Sequence, residues 1–207
     1  MGGSRRLPAT VNGSLTMDIS IIGDGNVGSA LARGLERAGH RVATTGHDPE
    51  SEKLLAESGE VIILAVPFDA IDDVVSTIGN RADGKTVVDV TNAVTPDHKL
   101  AVGFTTSGAE ELQKKLPGAK IVKAFNTDFA STMDKGEAKG EQLSAFVAGD
   151  DRQAKETVLE LAGDIGFDPV DAGPLENARL LEPLALLNIQ LGYSLGHGTE
   201  SGIKAVH

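Results

Sequence analysis

Two rhythms of apolar residues alternate along this chain. Runs rich in apolar or β-branched residues fall at 18–22, 41–45, 61–66, 86–90, 120–124 and 144–148, with a weaker one at 168–171. Between them lie segments with helical spacing, such as Val27, Leu31 and Leu35, or Ile71, Val74, Val75 and Ile78. The run at 61–66 is apolar throughout, the pattern of a strand buried on both faces. The spacing predicts helices over 26–38, 49–58, a stretch after Pro67, 109–116, 151–165, and a last one from Pro174 to Tyr193. Gly39 ends the first as a helix cap, Asp48 caps the start of the second, and Asp150 caps that at 151–165. Seven strands alternating with helices predict an α/β chain. The expected architecture is a Rossmann-type, doubly wound, mostly parallel sheet with right-handed crossovers. A small C-terminal α/β lobe ending in a long helix completes it.

The turn between the first strand and the first helix reads Gly23-Asp24-Gly25-Asn26-Val27-Gly28. Strand, glycine turn, helix is the context in which this spacing cradles a dinucleotide pyrophosphate. Gly23 permits the tight turn, Gly25 the approach of phosphate, and Gly28 the close packing of helix on strand. The free amides at the helix start face the anion. In such sheets ligands lie beyond the carboxyl ends of the strands. That edge adds Ala65, Val66 and Pro67 after strand three, Asn92 after strand four, and Ala124 and Asn126 at the end of strand five. Strand two ends Thr44-Thr45-Gly46-His47-Asp48, where an NAD site usually places a carboxylate for the ribose. Thr45, Gly46 and His47 are therefore the expected seat of a 2′-phosphate. NADP is favoured over NAD there, although Asp24 and Asp48 would repel a phosphate.

Composition narrows the class. The chain has 207 residues, a net charge of −11, no Cys and no Trp. The charge argues against nucleic acid and anionic membranes. The absence of Cys removes disulfides, thiolate metal sites and a cysteine nucleophile, and suits a cytoplasmic protein. No stretch reaches the ~20 apolar residues of a membrane span. Residues 1–16 carry Arg5 and Arg6 without an apolar signal core, and read as a leader or tag outside the fold.

Several chemistries are missing. Tyr193 is followed four residues later by His197, not by the Lys of short-chain dehydrogenases. His40, His47, His98, His197 and His207 form no metal-ligand spacing, and there is no nucleophile elbow. No general acid or base stands out, so no catalytic residue and no metal ligand is expected. Hydride transfer between two redox rings needs alignment more than protein proton transfer. Two polar residues of the last helix stand out against this background. Glu182 reads as an ion pair with Arg179 three residues back, or as a group facing the cleft or a partner. Asn188 raises the same alternative.

The motifs Ile22-Gly23-Asp24-Gly25-Asn26-Val27-Gly28, Lys123-Ala124-Phe125-Asn126-Thr127 and the segment 171–182, DAGPLENARLLE, together carry a resemblance. From Met17 to the C-terminus the chain resembles the coenzyme F420-dependent NADP reductases. The resemblance implies a Rossmann domain over 17–126 and an acceptor-binding, dimerising lobe over 127–207. It also implies hydride exchange between NADP(H) and the deazaflavin F420. Gly46 and His47 stand where the family pattern has Ser and Arg, and Asn126 where it has His. The alternatives are an NADPH-dependent flavin or ferric reductase, a small-carbonyl reductase, or a non-enzymatic NADP(H) sensor. The expected partners are a small-molecule redox acceptor and a second copy of the chain. The homodimer is expected through Leu180, Leu181, Leu184, Leu187, Ile189 and Leu191, which wrap too widely for one subunit to cover.

Overall fold

Seven strands form one sheet: β1 (Asp18–Ile22), β2 (Arg41–Thr45), β3 (Val61–Leu64), β4 (Thr86–Asp89), β5 (Lys120–Lys123), β6 (Ser144–Gly149) and β7 (Asp168–Asp171). The computed structural model describes residues 10–11, 14–95, 97 and 99–206. Of the expected leader, Thr10–Val11 and Ser14–Leu15 pair as a two-residue antiparallel ribbon; residues 1–9, 12 and 13 lie outside the described residues. The spatial order is β7-β6-β5-β4-β3-β1-β2. All neighbours run parallel except β5 and β6. β6 and β7 thus extend the same sheet from within the segment 127–207.

The helices lie on both faces: α1 (Asn26–Arg37), α2 (Pro49–Ser58), α3 (Ile71–Ile78), α4 (Gly108–Lys115), α5 (Ala130–Met133), α6 (Arg152–Ile165) and α7 (Ala178–Ile189). Alternation along the strands splits the core in two. Ile19, Ile21, Ile63, Val88 and Val122 pack with Leu31 and Leu35 of α1, Met133 of α5 and Val158 and Leu161 of α6. Ile62, Leu64, Val87 and Ile121 face Ile71, Val74 and Ile78 of α3, Leu112 of α4 and Ala178 of α7. The strand order reverses between β1 and β3, and the crevice above that point is where such sheets hold ligands.

Two local readings need correction. Asp151, not Asp150, caps α6, accepting from the Ala154 amide at 2.9 Å. Asp150 instead accepts from the Leu175 amide and anchors the approach to α7. Glu182 is not paired with Arg179. Arg179 reaches the two carboxylate oxygens of Glu110 at 2.7 and 2.9 Å, and Glu176 at 2.8 Å. The Glu182 side chain is buried, 1% exposed. Its two oxygens accept from the amides of Gly108 and Ala109 at the start of α4, at 2.9 and 3.2 Å. One of them also lies 3.2 Å from Lys123 Nζ.

Lys123 is fully buried at the end of β5. Its ammonium donates to Asp89 Oδ2 at 2.9 Å and to the Thr91 carbonyl at 2.5 Å. Burial alone would push its pKa down; the carboxylates of Asp89 and Glu182 overcome that and hold it above the usual lysine range. Removing one partner from such a cluster leaves a buried charge uncompensated. Glu182→Ala should therefore cost about 3–5 kcal/mol in urea denaturation. Arg179→Ala, at a part-exposed pair, should cost far less. Equal costs for the two would overturn this ranking.

Candidate functional site

The glycine turn sits at the crevice. Gly23 has φ +115°, and a side chain there would meet the Ala65 carbonyl. A Cβ on Gly28 would lie 1.8 Å from the Gly23 carbonyl oxygen. These two glycines are packing requirements. Gly25 differs: nothing lies within 4 Å of a Cβ built on it. It precedes α1, whose start no side chain caps, whereas α2, α4 and α6 are capped by Asp48, Ser107 and Asp151. Open space over uncapped amides suits a phosphate, so the residues present fit a dinucleotide. Asp24, Gly25 and Asn26 are exposed, and Val27 is half-buried.

Along the same edge, Ala65 and Val66 are half-buried and Pro67 is exposed. The Ala65 amide is tied to the Ile22 carbonyl, which brings the end of β3 against the glycine turn. The tips of β4 and β5 are stitched together. Asn92 Nδ2 donates to the Asn126 carbonyl at 3.0 Å, and Asn126 Nδ2 donates to Asn92 Oδ1 at 3.2 Å. Asn126 Nδ2 also reaches the Leu181 carbonyl of α7 at 3.1 Å, and Asn188 Nδ2 holds the Thr127 carbonyl at 2.9 Å. Ala124 is fully buried. A cleft of ≈ 550 Å³ opens beside these tips, walled by Pro67, Phe68, Asn92, Val94, Ala101 and Ile189, with Asp69 its one ionisable lining residue among the described residues. A second recess of ≈ 350 Å³ begins at Asn26 and is lined by Arg33, Phe129 and Tyr193.

At the tip of β2 the picture is mixed. Thr45 is buried, Gly46 is half-buried and lies against the Asp24 carboxylate, and the His47 ring is 78% exposed. His47 Nδ1 is 3.6 Å from Oε1 of Glu52, a buried carboxylate on α2. Of the five histidines, His98 and His207 lie outside the described residues.

The family model for coenzyme F420-dependent NADP oxidoreductases matches residues 18–60 and 50–93. An F420-dependent NADP reductase from Methanothermobacter marburgensis is 30% identical over 210 positions, covering 84% of this chain and 92% of its own. The chain belongs to this family. Metalloreductase STEAP3 of Rattus norvegicus is 32% identical over 184 residues, which cover 82% of this chain but 37% of the rat protein. The chain thus spans under two fifths of the length of the metalloreductases it matches. A solved structure from Arthrobacter sp. FB24, assigned to the F420-dependent NADP reductases, superposes with a TM-score of 0.85 at 29% identity. It covers 93% of this chain and 100% of the other.

Two groups of this family member escape sequence reasoning. Glu52 lies on α2, seven residues past the tip of β2, and only the packing of α2 brings it to His47. Asp128 follows Asn126 and Thr127 in what reads as a polar loop. It is buried, with Thr127 Oγ1 as its side-chain partner at 3.2 Å. Burial pushes its carboxyl up to about 7, the Thr127 hydroxyl offsetting part of the rise. Neither residue carries a local signal, since both depend on what packs over them.

The turn generates a clear contrast. Gly25→Val should fold normally yet lose roughly tenfold or more of its NADPH affinity in calorimetry, by closing the approach to the uncapped amides. Gly28→Ala should lower the melting temperature without any ligand present. Unchanged affinity in a folded Gly25→Val would refute the cradle.

Asp128 makes stability depend on pH. Its folded value of about 7 exceeds the 3.8 of an unfolded chain, so the fold favours the neutral carboxyl. That advantage is complete below about pH 4 and is lost as pH rises through about 7. Relative to Asp128→Asn, the ligand-free protein should weaken across this window by on the order of a few kcal/mol. Urea titrations at about pH 5 and about pH 8 check this; parallel profiles for the two proteins would refute it.

Proposed function

We propose that this chain is an NADP(H)-dependent oxidoreductase that exchanges hydride between the nicotinamide and a planar redox coenzyme, with the deazaflavin F420 as the favoured acceptor. The observation that carries the reading is the open, uncapped cradle at Gly25, on the same edge as the ≈ 550 Å³ cleft between the tips of β3 and β4 and helix α7. Family membership supports the cofactor and the acceptor. Bound NADP(H) would supply the hydride. The chain's own part is to bind and align. Pro67, Phe68, Val94, Ala101 and Ile189 offer apolar walls to a flat ring and exclude water from it. Preference for NADP over NAD rests on His47 as a donor to the 2′-phosphate, tempered by Glu52 and Asp24 close by.

A flavin or ferric acceptor is the second reading, favoured by the 32% identity to a metalloreductase. Oxidation of NADPH deuterated at C4, with F420, FMN and a ferric chelate offered in turn, separates the readings. Direct transfer of deuterium to F420 is expected. Turnover with FMN or ferric chelate alone would favour the second reading. Tight NADPH binding without turnover on any acceptor would leave a sensor.

The second copy of the chain would meet this one along α7. Leu180, Leu184 and Leu187 follow the 4-3 spacing of a helix-pairing seam, Leu191 lies in the π-helical turn that follows α7, and Leu180 and Leu187 are 66% and 51% exposed. The opposite face, with Leu181, Glu182, Ala185 and Asn188, is buried within the subunit. Leu187→Glu should convert a dimer to a monomer in sedimentation at micromolar concentration. A wild-type monomer there would refute the seam.

A further inference from the structure

We propose that the turn after β5 holds a pair of hydrogen-bond acceptors, Asn126 Oδ1 and the Asp128 carboxyl, that receive the amide-type N–H groups of a redox ring. The proposal rests on the reading of the chain as a nicotinamide-dependent oxidoreductase and adds Asp128 to its binding residues. Among the described residues, the buried side-chain atoms without a hydrogen-bond partner are Asn126 Oδ1 and Asp128 Oδ1. They lie two residues apart in one turn. Buried polar atoms are nearly always paired, because an unpaired one forfeits its water without return. Two in a single turn mark a place where part of the hydrogen-bonding system comes from elsewhere.

The turn is not slack. Asn92 and Asn188 hold the carbonyls of Asn126 and Thr127, and Asn126 Nδ2 is fixed between Asn92 Oδ1 and the Leu181 carbonyl. Rotating the Asn126 amide by half a turn would set its oxygen against two other oxygens, so the network itself assigns Oδ1 to the unpaired side. Phe125, which opens the turn, sits at φ +61° with its ring buried 5.9 Å from that of Phe167. A bulky residue keeps that backbone conformation only where packing enforces it, and such strain gathers at ligand sites.

A purely architectural role for Asp128 lacks support. It forms no ion pair among the described residues. The buried ammonium of Lys123 is committed to Asp89, Glu182 and the Thr91 carbonyl. Nor does Asp128 cap α5, whose start carries no side-chain cap. The turn lies between the two recesses: Asn126 is bonded to Asn92 in the wall of the larger one, and Phe129 lines the smaller one that begins at Asn26. Two acceptors call for a ligand that donates. A nicotinamide carboxamide donates through its NH₂ group, and a flavin or deazaflavin ring donates through its lactam N–H. Once ionised, as pH rises through about 7, the Asp128 carboxylate receiving such a donor makes a charge-assisted bond, stronger than a neutral one.

The test pairs each ring with an analogue that cannot donate. Dissociation constants are measured for NADP⁺ against its 3-acetylpyridine analogue, and for FMN against N3-methyl-FMN. The proteins are wild type, Asn126→Ala, Asp128→Ala and Asp128→Asn. The wild type should favour one donor ring over its analogue by about tenfold or more. Asp128→Ala and Asn126→Ala should reduce that preference toward one, while leaving the analogue's own affinity nearly unchanged. Loss of the preference for NADP⁺ identifies the nicotinamide as the donor; loss of the preference for FMN identifies the acceptor ring. Preferences that survive in both alanine variants would overturn the proposal. So would a large drop in melting temperature of both ligand-free Asp128 variants, which would make the carboxyl structural. A wild type that binds no nicotinamide nucleotide at all would instead overturn the functional reading on which the proposal stands.

Discussion

The buried ammonium of Lys123 is the constraint on which the ligand edge depends. It gathers the ends of β4 and β5, the start of α4 and the first turns of α7 around one point through Asp89, Glu182 and the Thr91 carbonyl. Each charge in such a cluster is tolerable only because the others are present. The two carboxylates reverse the effect of burial on the lysine, and the α4 amides complete the bonding of Glu182. With that point fixed, Asn92 and Asn126 can be joined across strand tips, and α7 can offer the Leu181 carbonyl and Asn188 to the turn after β5.

Around this satisfied centre, two places where bonding stops stand out. Helices α2, α4 and α6 are each capped by a side chain, whereas α1 starts bare under the open space at Gly25. Among the described residues, buried side-chain polar atoms are paired, except in the turn that carries Asn126 and Asp128. A rigid frame with unsatisfied groups held in fixed positions is what binding a ligand without reorganisation requires.

Much of the frame was legible in the chain. Strand and helix periods are local, and the apolar run at 61–66 pointed to a strand with both faces covered, as β3 has. The glycine turn was legible because its backbone demands are local as well. Asp150 and Asp151 were exchanged as caps because either aspartate satisfies the same local rule, and only the approach of Leu175 claims Asp150. Glu182 and Arg179 were misread as partners because i,i+3 spacing measures only neighbours on one helix. Both side chains instead reach the first turn of α4, Glu182 to its amides and Arg179 to Glu110, which sequence spacing does not register.

The sequence by itself determined the succession of strands and helices along the chain, the glycine turn and the family, since these rest on periodicity, turn chemistry and motif spacing over a few residues. Only the tertiary structure decided which charges are buried together, that Glu52 meets His47, and that Asp128 Oδ1 is left without a partner near Asn126. The physical reason is that the energy of a polar group is set by what surrounds it. For Lys123, Glu182 and Asp128 those surroundings are supplied largely by segments distant in the chain, brought together by packing on the sheet.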